Sequence, residues 1–159
     1  MTAFTGIIVG VVASGLIQTI LAYLDRRREA ASVLRALQAE AASILDLAER
    51  RGYRKALVNH LAQIDNDVWP GSLTARISDD YFMIYTALAE NLGSIEIQAA
   101  FRVVRFYALC KSIRESLSPE GLLKEGNPSQ DAVENLKSAQ KKMLEDAFEL
   151  GKKITSACP

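Results

Sequence analysis

A single histidine, His60, follows Arg54 by six residues in the run Arg54-Lys55-Ala56-Leu57-Val58-Asn59-His60. An imidazole can take and give a proton near neutral pH and a guanidinium can hold an anion, so this pair is the first candidate for acid/base chemistry. Two carboxylates, Asp79 and Asp80, are adjacent, but they follow Ser78. A serine cap with acids in the first turn is the chemistry of a helix start, where the backbone dipole favours negative charge, and we read them so rather than as metal ligands. Cys110 and Cys158 have neither the number nor the spacing of a disulfide framework or a zinc site. With no Gly-x-Ser-x-Gly, no Walker loop and no dinucleotide fingerprint, the chain is not read as an enzyme, and neither a cofactor nor a metal is expected. His60 is expected to be a partly exposed polar residue of a helical bundle.

The element that would position any site is apolar. Phe4 to Leu24 carries no charge and stops at Asp25-Arg26-Arg27-Arg28. At ~1.5 Å per residue this run makes a helix of about 30 Å, the thickness of a bilayer's hydrocarbon core. Thr5, Ser14, Gln18 and Thr19 are its few polar residues, and Phe4 and Tyr23 fall where interfacial aromatics belong. A signal peptide needs a basic start and a small-x-small cleavage site; Leu21-Ala22-Tyr23-Leu24 is not one and the basic residues stand at the other end. We therefore expect a single transmembrane helix within residues 1–24, anchored at the interface by Tyr23, Arg26, Arg27 and Arg28. Each arginine contributes ~1 kcal/mol against an anionic leaflet. Basic residues stay on the cytoplasmic side, so the N-terminus is expected outside and residues 25–159 in the cytoplasm, a reducing compartment that agrees with the cysteine usage.

Within the run Gly6, Gly10 and Ser14 recur every four residues, and Gln18 and Ala22 continue the row. Small residues at that spacing let two helices approach closely, and Gln18 can add an interhelical hydrogen bond worth ~0.6 to 2 kcal/mol. A homo-oligomer associating through this face is expected. Lys plus Arg and Asp plus Glu both number 19, so no global field draws nucleic acid to the chain, and no specific nucleic acid is expected.

The fold class expected is all-α, the membrane helix continuing into a cytoplasmic bundle of four to five helices. From Leu16 to Arg51 there is neither Gly nor Pro. Ala30, Leu34, Leu37, Ala41, Ile44 and Ala48 form a heptad-like, coiled-coil-type seam that Val33, Leu45 and Leu47 widen toward several packing partners. Gly52 is where that helix should bend or break, with Tyr53, Leu57, Leu61 and Ile64 continuing helical spacing to Asp65. Trp69-Pro70-Gly71 marks residues 66–77 as a loop. Ser78 should then start a helix burying Tyr81, Tyr85, Leu88 and Leu92 and closed by a left-handed Gly93. Ser94 is expected to cap a helix from Ile97 to Leu117, apolar on most sides and so central. Asn127, Pro128 and Gln130 should begin the last helix, with Val133, Leu136, Met143, Ala147, Leu150 and Ile154 on one face and Lys137, Lys141, Glu145 and Lys152 on the solvated one.

Two resemblances bear on function. The Arg54 to His60 spacing resembles the signature of HEPN ribonucleases, in which a dimer brings two Arg and two His side chains together for metal-independent RNA cleavage. The stretches Asn91-Leu92-Gly93 and Val103-Val104-Arg105-Phe106-Tyr107-Ala108-Leu109, behind a membrane helix and an Ala-rich helix, resemble uncharacterised bacterial single-span membrane proteins. That resemblance implies a bacterial source, and so a bacterial inner membrane for the span, and says nothing about activity. The function expected is a membrane-anchored interaction, scaffold or regulatory module, with a protein partner received by the cytoplasmic helices. A pore-forming membrane effector of the phage-defence kind is the alternative, and a HEPN-like ribonuclease a further one.

Overall fold

The computed structural model describes residues 2–65, 73, 77–118 and 139–156, without the side chains of residues 2–15, 64, 65 and 79. All regular structure among them is helical. Helix α1 runs unbroken over Thr2–Arg50, as the absence of Gly and Pro predicts for its second half. It stops because Gly52 takes φ +67° and turns the chain, its N–H donating to the Glu49 carbonyl at 3.0 Å. Only glycine enters that left-handed region without steric cost. Helix α2 follows over Tyr53–Asp65.

Ser78 does start a helical segment: its Oγ accepts from the Asp80 N–H at 3.3 Å. That segment is a 3₁₀ turn, Asp79–Phe82, leading into the short helix α3, Met83–Leu88, and a second 3₁₀ stretch, Ala89–Ser94. Phe82 is the residue it buries, with Tyr81, Tyr85, Leu88 and Leu92 half-covered. Gly93 does not take the left-handed conformation expected of it; the 3₁₀ stretch closes the segment. Helix α4, Ile97–Leu117, is capped by the Glu96 carboxylate on the Gln98 N–H at 3.2 Å rather than by Ser94, whose hydroxyl donates to the Asn91 carbonyl at 2.7 Å. The last helix, α5, occupies Lys141–Ser156. Its expected start at Asn127, Pro128 and Gln130, and with it Val133, Leu136 and Lys137, lies outside the described residues, as does most of the loop around Trp69.

The core has two connected parts. Val33, Leu37 and Ala41 of α1 pack with Phe82, Ile95, Val103, Phe106, Tyr107 and Ile154. Leu57 and Leu61 of α2 pack with Leu117, Leu144 and Phe148. The buried face of α1 is thus turned toward Val33, which is buried, while Leu34 and Ile44 sit at its margin. On α5 the covered face is Leu144, Ala147, Phe148, Gly151 and Ile154, with Met143 and Leu150 half-covered. Gly151 belongs there because a Cβ would lie 2.8 Å from Leu45 Cδ1 and 2.9 Å from Phe106 Cε2, so its hydrogen lets α5 close on α1 and α4.

Helix α4 is not covered on most sides. Val103, Phe106 and Tyr107 are buried, but Ile97, Phe101 and Val104 remain 79, 62 and 43 % exposed. A polar strip of Gln98, Arg102 and Arg105 lies between these two faces, and Arg105 leaves it to bond Asp146 on α5 at 2.8 Å. Among the described residues no helix is long and apolar enough to cross a membrane. Residues 2–24 are helical as the first part of α1, but the side chains of residues 2–15, Gly6, Gly10 and Ser14 among them, are not described, and the membrane crossing expected of residues 1–24 is not shown.

Candidate functional site

The distal end of the bundle, where α1 gives way to α2, holds an apolar cavity of about 100 Å³. Ile44, Leu45 and Ala48 of α1, Leu57 of α2, Phe106, Cys110 and Ile113 of α4 and Leu144 and Phe148 of α5 contribute its walls. Helical spacing explains the set, since each wall repeats at three or four residues and so comes from one stripe. Tyr53, Arg54, Tyr81 and Arg114 supply the polar atoms among the lining residues.

Arg54 reaches this cavity and His60 does not. The Arg54 guanidinium lies 4.8 Å from the centre of the Phe148 ring, a cation–π contact. On α2 six residues separate His60 from it by ~9 Å of rise and ~120° of rotation. His60 is buried, 7 % exposed, rather than partly exposed as expected. Burial pushes its pKa below the ordinary 6.5, so the ring is neutral at pH 7. The two side chains therefore occupy different environments in the protomer. Burial likewise pushes the Cys110 thiol up to about 12, which leaves it protonated and unreactive at neutral pH. Cys158 lies outside the described residues.

Chemistry-bearing groups that the sequence did not mark are found on α1. Glu40, 7 % exposed, accepts the Ile84 N–H at 2.7 Å on Oε1 and the Tyr85 N–H at 2.9 Å on Oε2, and the Tyr107 hydroxyl donates to Oε2 at 2.7 Å. The two N–H groups belong to the first turn of α3, which has no intrahelical acceptor for them. Tyr107 is stacked on Tyr85 at 4.1 Å, and burial first, then the Glu40 bond, raises its hydroxyl well above the usual tyrosine range. Gln38 does the complementary task at the other polarity. Its Nε2 donates at 3.0 Å to the carbonyl of Ile154, in the last turn of α5. Both residues carry out helix capping from a neighbouring helix, and neither is aimed at the cavity.

Asp80 is engaged locally, taking the Ser78 hydroxyl at 2.9 Å, and no group of His, Cys, Asp or Glu among the described residues is placed to hold a metal. Gln18, expected on the association face of the span, is exposed, as are the residues expected at the membrane surface, Tyr23, Arg26, Arg27 and Arg28, with Arg28 3.7 Å from Asp25. Residues 16–29 are all exposed. Comparison with protein families, curated proteins and solved structures finds no match.

Proposed function

We propose that this chain is a membrane-anchored, self-associating helical module that presents its bundle to a protein partner on the cytoplasmic side of a bacterial inner membrane. The observation that carries this reading is α1 itself. One unbroken helix holds the uncharged run Phe4–Leu24 and the core residues Val33, Leu37 and Ala41. Leu16, Ile17, Ile20, Leu21, Tyr23 and Leu24 are 41 to 60 % exposed. Leaving them in water forfeits on the order of 5–10 kcal/mol, as much as the whole stability of an ordinary domain. A bilayer supplies the missing apolar surroundings, and Arg26, Arg27 and Arg28 supply its boundary and direction.

In this reading a second helix meets the row Gly6, Gly10, Ser14 and Gln18, spaced every four residues, and the arginines and Tyr23 meet lipid phosphates. The bundle then begins a few residues outside the headgroups. A reporter fused after Pro159 tests the reading: a fluorescent protein there should fluoresce in membrane-bound form, and a phosphatase there should be inactive. Phosphatase activity at that position would overturn the orientation, and recovery of the fluorescent fusion in the salt-washed supernatant would overturn the anchor.

A further inference from the structure

The apolar row on α4 remains without a function. Ile97, Phe101, Val104 and Ala108 are spaced 4-3-4, fall within an arc of ~60° and are all exposed, on the side opposite Val103, Phe106 and Tyr107. The spacing is that of a helix–helix seam, and Lys111 and Glu115, next in the same rows, end it. Lys111 is turned away, its Nζ 5.4 Å from the Tyr85 ring centre.

The far end of α4 is held by described contacts: Gln140 Nε2 donates to Ser116 at 2.6 Å, and Leu73 packs against the cluster of Leu57, Leu61 and Leu117. Ile97 lies ~30 Å back along that helix from Leu117.

The direction of α4 identifies the occupant. Tyr107 meets Glu40 and Leu37 of α1, while Leu117, ten residues on, packs in the cluster that Ala48, eight residues past Glu40, borders. Helix α4 therefore runs parallel to α1, with Ile97 ~15 Å nearer the arginine triplet than Tyr107. We propose that the Ile97, Phe101, Val104 and Ala108 face pairs in parallel with the same face of a second copy of this chain. The inference rests on the membrane reading above, because a shared bilayer is what makes two copies point the same way. The exposed area of the row is on the order of 400 Å² per copy, about half what a free-standing dimer buries. Copies already held together by their spans need no more, since the second contact is intramolecular in its statistics.

Same-residue crosslinking in native membranes tests the pairing. In a full-length Cys110→Ala, Cys158→Ser background, Val104→Cys and Ala108→Cys should each give oxidant-induced dimers several-fold above Lys142→Cys, on the exposed side of α5. Adding Phe101→Glu should lower the yield at position 104 roughly tenfold. Yields at 104 and 108 no higher than at 142, or unchanged by Phe101→Glu, would overturn the parallel pairing. Alkaline carbonate extraction of the same membranes separates the two readings. Protein retained in the pellet without crosslinks refutes the pairing alone, while crosslinked protein released to the supernatant refutes the anchor alone.

Discussion

Glu40 offers the sharpest test of how the bundle is assembled. Its carboxylate takes three hydrogen bonds, two from the first turn of α3 and one from Tyr107, on a side chain that is 7 % exposed. Glu40→Ala removes both acceptor oxygens and with them all three bonds. Water can reach the Ile84 N–H, since Ile84 is 38 % exposed, but the Tyr107 hydroxyl is left with only the long 3.5 Å bond to the Leu37 carbonyl and the half-buried Tyr85 N–H loses its acceptor. Unsatisfied buried groups cost ~1–3 kcal/mol each, so the substitution should destabilise by about 2–4 kcal/mol. Tyr107→Phe removes one charge-assisted bond and leaves the carboxylate its two N–H donors, for about 1–2 kcal/mol. In the double variant the Tyr107 loss is already counted, so the cycle should return a coupling of about 1–2 kcal/mol. Urea unfolding of the full chain in detergent, followed by far-UV circular dichroism, measures all four corners. A coupling below about 0.3 kcal/mol would refute the idea that Glu40 and Tyr107 act as one buried unit, and a neutral Glu40→Ala would refute the cross-helix cap.

Two further outcomes follow from the packing and the titration. Gly151→Ala forces a methyl group into Leu45 and Phe106 and should lower stability by about 1–3 kcal/mol, whereas Gly93→Ala, with nothing within 4 Å of the added carbon, should not; equal unfolding midpoints for the two would refute the close approach of α5. His60 has its pKa lowered in the folded state by burial, so the unfolded chain binds the proton more readily. Stability should therefore fall as pH drops through 6.5 and level off below the lower folded value, and His60→Gln should flatten that part of a pH 7 to 5.5 urea series; a wild-type profile flat over the range would show that the ring titrates alike in both states.

What the sequence determined by itself is the local part. The unbroken course of α1, its end at Gly52, the existence of α2, α4 and α5 and the capping role of Ser78 all follow from preferences that act within a turn or two: apolar period, glycine's access to positive φ, and a hydroxyl within reach of the next N–H. Seven residues from Arg54 to His60 likewise gave a pattern, but not the environments of its ends, one guanidinium on Phe148 and one imidazole buried. Tertiary structure decided which of two apolar faces of α4 is covered, because Ile97, Phe101 and Val104 are as hydrophobic as Val103 and Phe106 and periodicity ranks neither set. It decided the use of Glu40 and Gln38 as well. Their partners stand 44 residues away at Ile84 and 116 away at Ile154, and a cap across such a separation exists only once packing has brought the two helices side by side.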